Sequence, residues 1–159
     1  MNIVLLEPEI PANTGNIGRT CALTGTKLHL IKPLGFSVDE KEIKRAGLDY
    51  WQSLDLRVYE NYGEFCSRNP GNIFYATTKA ARVYTELRYQ PDDYIVFGKE
   101  SAGIPEEILE RHQGACARIP MLAGFRSLNL ASSVAVILYE ALRQNGFTGL
   151  TLEGKFAEK

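Results

Sequence analysis

Apolar positions fall into two spacings along this chain. Short blocks rich in branched residues at 2–6, 27–31, 56–59, 72–76, 94–97 and 115–119 have the length and composition of β-strands. Between them, helical spacing takes over. Ile17, Cys21 and Thr24 recur on one face of a helix closed by Gly25, and Asp39 with Glu42 three residues on predicts a capped helix ending near Gly47. A weaker helix is predicted over 61–68. Pro105 suits the first turn of a helix through Leu109, and a long helix is predicted over 129–144. Strands alternating with helices through short connections predict an α/β fold with a mainly parallel sheet and helices on both faces. The almost wholly apolar block Tyr94-Ile-Val-Phe97 is expected at its centre. Ligands of such sheets sit at the carboxyl ends of strands, which singles out the loops after Leu6, Phe97 and Ile119.

Composition narrows the class. At 159 residues, 45% hydrophobic and 23% charged, the chain is sized for one domain over 1–159. Collagen-like, disordered and disulfide-scaffold classes are excluded. Eighteen basic against nineteen acidic residues give a net charge of -1, so bulk positive charge cannot grip nucleic acid or anionic lipid, although a local basic patch is allowed. Cys21, Cys66 and Cys116 are odd in number and far apart, and are expected to be reduced and mostly buried. Glu7 interrupts the first apolar run, no positive leader precedes it, and Ser132, Ser133 and Glu140 break the longest apolar stretch. A cytoplasmic protein outside the membrane is the expectation.

Three loops carry candidate chemistry. Asn13-Thr-Gly-Asn16 with Arg19 places amide donors and a guanidinium at a helix start; a helix capped by Asn, with a solvated arginine, is the simpler account of the composition. The alternative needs those donors to converge on one anionic or hydroxyl-bearing group. Gly98-Lys-Glu-Ser-Ala-Gly103 follows the central strand, where glycine lets a ligand approach the backbone, yet it is neither a P-loop nor a dinucleotide fingerprint. A plain strand-to-helix turn explains it equally well. Ile119-Pro-Met121 with Arg126-Ser-Leu-Asn129 offers apolar walls and main-chain donors of the kind that read an adenine edge, or simply a buried strand end and an N-cap. Lys41, Lys44 and Arg45, followed by Tyr50-Trp51, combine charge with aromatic surface suited to RNA, against the plainer alternative of a solvated face and two half-buried rings. His29 and His112 lack metal or triad spacing and are expected to be structural, so no metal is expected.

Taken together, Glu7-Pro-Glu-Ile-Pro-x-Asn-Thr-Gly-Asn-x-x-Arg19, Arg45-Ala-Gly-Leu-Asp-Tyr50, Phe97-Gly-x-Glu100 with Gly103-x-Pro105, and Ile119-Pro-Met121 with Ser127-x-Asn-Leu130 resemble the SPOUT-class tRNA (cytidine/uridine) 2′-O-methyltransferases of the wobble nucleotide. Four motifs in register across nearly the whole chain are far more specific than any one of them. The resemblance implies S-adenosylmethionine as cofactor, a homodimer, the tRNA anticodon stem-loop as partner with leucine isoacceptors among the expected substrates, and a sheet whose C-terminal part is tied in a trefoil knot. General rules would have drawn an unknotted sheet. By position, Ala76, Thr77, Gly98, Ile119, Met121, Ser127 and Leu128 match the cofactor cup of the family. Arg19 matches its catalytic arginine, with Asn13, Asn16, Glu100 and Asn129 orienting the site. Lys44, Arg45 and Arg126 are the expected RNA contacts, and Tyr139, on the broad apolar stripe of the last helix, the expected dimer contact.

A guanidinium stays protonated across ordinary pH, so Arg19 suits stabilisation of a developing oxyanion and a phosphate clamp better than it suits a general base. Two alternatives stand beside this one. A small flavin- or nicotinamide-binding oxidoreductase shares the fold class but lacks its glycine fingerprint here. A catalytically silent RNA-binding dimer would not need Arg19, Glu100 and Asn129 intact.

Overall fold

The computed structural model describes residues 1–37 and 50–154. The helix predicted over 39–47, and with it Lys41, Lys44 and Arg45, lies outside the described residues.

Six strands form one sheet: β1 (Asn2–Leu6), β2 (Lys27–Ile31), β3 (Leu56–Tyr59), β4 (Ile73–Ala76), β5 (Tyr94–Phe97) and β6 (Cys116–Ala117). Their order is β3-β2-β1-β5-β4-β6, and every pairing is parallel. β1 and β5 lie at the centre, with Val4 beside His29 on one side and beside Val96 on the other. From that pair the remaining strands lie to opposite sides, β2 and β3 beyond β1 and β4 and β6 beyond β5, which opens a crevice at their carboxyl ends.

The period of two explains why both faces need cover. Ile3 and Leu5 point to one side of β1, Val4 and Leu6 to the other, and all four are buried. Helices α1 (Pro11–Thr24) and α4 (Leu130–Gln144) cover the first face, packing Ile17, Cys21, Val134 and Ile137 onto it and lying against each other. Helices α2 (Tyr62–Arg68) and α3 (Glu106–Arg111) cover the second with Phe65 and Leu109. Burying a side chain the size of Phe65 completely contributes about 1.5–3 kcal/mol, so each short helix is held by its packing more than by its own length.

Some boundaries differ from the sequence expectation. β6 stops at Ala117, not 119, because pairing changes partner there: Thr77 N–H donates to Ala117 O, and Arg118 then exchanges backbone bonds with Arg82 and Tyr84. α1 opens at Pro11 with Ile10 as its N-cap, so Asn13 is not a cap. Pro105 likewise stands just ahead of the first turn of α3. No helix among the described residues is long and apolar enough to cross a membrane.

Candidate active site

The site begins with two loops at the crevice between β1 and β5. The β5 loop folds back on itself, with Gly103 N–H bonded to Lys99 O at 2.8 Å and Gly103 at φ 73°. Gly98 makes this possible, since a Cβ there would lie 2.0 Å from the Gly103 carbonyl carbon. The β1 loop, where Glu7 takes φ 53°, is tied to it by several side-chain bonds. Glu100 Oε2 accepts from Glu9 N–H at 2.8 Å, and the Glu9 carboxylate accepts from the hydroxyl and N–H of Ser101 at 2.8 and 2.9 Å. Lys99 Nζ meets Glu7 Oε2 at 2.9 Å. The Ser101 donors hold the Glu9 carboxyl below its usual range, so the clasp is made with Glu9 ionised.

A second set of bonds reaches the last helix. Glu100 Oε1 accepts from Asn13 Nδ2 at 2.9 Å, Asn13 Oδ1 accepts from Asn129 Nδ2 at 3.0 Å, and Asn129 Oδ1 caps α4 by accepting from Ala131 and Ser132 N–H. Three side chains remote in sequence thereby fix the β1 loop, the β5 loop and the start of α4 in one frame.

That frame walls a cavity of about 640 Å³. Ala76 and Thr77 from the end of β4, Gly98 after β5, and Ile119, Met121, Ser127 and Leu128 from the 118–129 segment all line it, as do Asn13, Glu100, Arg126 and Asn129. Size and make-up suit a nucleoside-sized ligand, with apolar side chains for an aromatic base and backbone and amide groups for its polar edge. The residues present therefore fit an adenosyl cofactor.

Arg19 and Asn16 are not brought to the cavity of their own chain. Both are exposed on α1, and the Arg19 guanidinium lies over the Tyr50 ring at 5.0 Å from its centroid. Trp51 packs against α1 at Gly18, where a Cβ would stand 3.0 Å from its ring, so one of the two candidate stacking aromatics is occupied by packing. Tyr139 is exposed on α4. His29 is fully buried between the Tyr59 hydroxyl and Asn2 Oδ1, and burial pushes its pKa down to about 4. His112 stacks on Tyr75. Cys21 and Cys116 are buried, and all three cysteines are free.

Sequence reasoning missed the clasp of Glu7, Glu9, Lys99 and Ser101, and it missed Lys79, which also lines the cavity. The signal available was the placement of charges directly after two central strands, where isolated solvated side chains would look the same.

Residues 1–139 match the family described as SpoU rRNA Methylase. The chain belongs to the SpoU methylase family. Among its relatives, a tRNA (cytidine(34)-2′-O)-methyltransferase of Methylovorus glucosotrophus is 49% identical over 93% of this chain and 97% of its own. A solved structure reported for 2-OH methylation of C/U34 on tRNA superposes with a TM-score of 0.88 at 44% identity, covering 91% of this chain and 95% of that one. The AdoMet-bound rRNA methyltransferase of Sinorhizobium meliloti gives 0.79 at 28%, covering 89% and 55%. The oxidoreductase alternative, which rested on fold class alone, falls with the SpoU match, and the resemblance drawn from the four motifs stands.

Proposed function

We propose that this SpoU methylase uses S-adenosylmethionine to methylate the ribose 2′-hydroxyl of the wobble nucleotide, cytidine or uridine 34, of tRNA. The observation that carries it is the cavity at the strand ends, walled by all seven positions that match the cofactor cup and braced by Glu100, Asn13 and Asn129. The relatives named for this reaction, aligned nearly end to end, support the substrate.

When bound, the cofactor supplies a methyl group on a sulfonium, ready for in-line attack. The residues of this chain do the rest. Ile119, Met121 and Leu128 give the adenosine an apolar slot, while Ser127 and the backbone around Gly98 offer polar contacts. The Glu100–Asn13–Asn129 bridge holds the loops in place, so the acceptor hydroxyl meets the methyl group in one geometry. Arg19 faces the ribose oxygen and the neighbouring phosphate; its guanidinium stabilises the charge that develops as the hydroxyl proton leaves to phosphate or water.

Arg19 does not line the cavity of its own chain and rests on Tyr50, so in this proposal another copy supplies it. A homodimer follows from that need. Leu23 of α1 and Val136 and Tyr139 of α4, 55%, 36% and 48% exposed, offer the apolar surface for it. Arg126, with Lys44 and Arg45 as further RNA contacts, would give a weakly acidic body the local positive charge for tRNA, in the cytoplasm where tRNA is modified. A C-terminal trefoil knot belongs to this proposal, supported by Arg118 pairing with the 82–84 turn and by Gln144 and Asn145 bonding Leu87 and Tyr89.

The deciding experiment maps 2′-O-methyl groups in tRNA incubated with the protein and the cofactor. Modification at nucleotide 34 is expected. Methylation at another nucleotide, or none with intact tRNA, overturns the proposal.

A further inference from the structure

Four charged side chains stand at the cavity, and two of them, Lys99 and Glu100, are committed to bonds within the frame. Lys99 is bonded to Glu7, both about one-third exposed. Glu100 accepts from Glu9, Ile10 and Asn13. Arg126, exposed and without an ion pair among the described residues, belongs to the same segment as Ile119, Met121 and Leu128, which supply the apolar lining. Lys79 differs. Its sole ion pair among the described residues is with Glu106 at 3.0 Å, and the two side chains are 59% and 68% exposed, so water screens the pair and it can exchange.

The backbone that carries Lys79 is nevertheless fixed. Lys79 N–H donates to Thr77 Oγ1 at 3.2 Å, Ala80 N–H donates to Thr77 O, and Ala80 is buried in the core under α3. A pinned turn with a loosely held ammonium is a preorganised anion contact. The cavity also has two ends. Leu130, Ile137 and Ile119 belong to the core on the α1–α4 face, whereas Ile104 belongs to the core on the α3 face, the side on which Lys79 stands. A ligand with an aromatic nucleoside at one end and an amino-acid carboxylate at the other matches that polarity in one direction only.

We propose that Lys79 binds the carboxylate of the amino-acid end of the methyl donor, leaving Glu106 to do so. This rests on the methyl-transfer proposal and deepens it. Lys79 touches the part of the cofactor that does not react, so it sets affinity and not the chemical step.

The test is calorimetric binding of two ligands, S-adenosylhomocysteine, which has the carboxylate, and 5′-methylthioadenosine, which lacks the amino-acid end. Lys79→Met should weaken S-adenosylhomocysteine about tenfold or more, the scale of one charge-assisted hydrogen bond, and leave 5′-methylthioadenosine within about twofold. Lys79→Arg should keep most of the affinity, and the salt dependence of S-adenosylhomocysteine binding should vanish in Lys79→Met. Equal weakening of both ligands, or no weakening of either, overturns the assignment. If the unaltered protein binds neither ligand, the methyl-transfer proposal itself fails, which is a separate outcome.

Discussion

At the scale of single residues, the side chains that brace the cavity contrast with Arg19, which does not line it. Asn13 spends its amide on Glu100 and Asn129, and Asn129 spends its own on Asn13 and the first N–H groups of α4. Arg19 makes no hydrogen bond or ion pair among the described residues and rests on the face of Tyr50. A cation held by a ring can turn to a phosphate without first breaking a salt bridge. Arg19→Ala should therefore cut methyl transfer by about a hundredfold or more, the usual loss for one transition-state donor, with S-adenosylhomocysteine affinity and thermal stability nearly unchanged. Single-turnover transfer at saturating cofactor and tRNA, set beside calorimetry, checks it. A variant that loses cofactor instead would place Arg19 in the cup.

Among the elements, the β5 loop is held by a close backbone approach. Its return over Gly98 leaves no room for a side chain: a Cβ would fall 2.0 to 2.4 Å from backbone atoms of Gly103 and Ile104, which cannot move as a side-chain tip can. Gly98→Ala should cost about 2 kcal/mol or more through forced backbone shifts, and it should weaken cofactor binding because the same loop walls the cavity. Gly114→Ala, where nothing stands within 4 Å of the added methyl, is the control and should leave both unchanged. Denaturant midpoints and ligand titrations on the two variants separate a packing effect from a general one. If Gly98→Ala matches the control, the loop is softer than this geometry states.

For the whole molecule, stability depends on pH through the sheet itself. His29 is sealed under Tyr59, Phe65 and Tyr94, and burial lowers its pKa from 6.5 to about 4. Between those values the unfolded chain takes up a proton that the folded chain refuses. The contribution is thus complete above about pH 6.5 and is lost as pH falls toward 4, reaching about 2–3 kcal/mol by pH 4.5. Denaturation at pH 7.5 and 4.5 should show His29→Gln losing less stability on acidification than the unaltered protein by roughly that amount. An equal loss in both would mean that His29 is protonated within the fold.

The order of strands and helices, their type and the positions of the three site loops were determined by the sequence alone, because periods of two and of 3.6 are written locally in residues such as Ile3 to Leu6 and Ile17 with Cys21. The cup was legible from four motifs in register, not from any single loop. Tertiary structure decided what local pattern cannot carry. Asn13 looks like a cap in sequence and proves to be a brace, since its partners lie 87 and 116 positions away. The Glu9–Ser101 clasp spans 92 positions and leaves no trace in either loop. Arg19 stands at the right spacing from Asn13 to suggest a shared site, yet it does not line the cavity of its own chain, so only three-dimensional placement separates the residues that build the cup from one that does not.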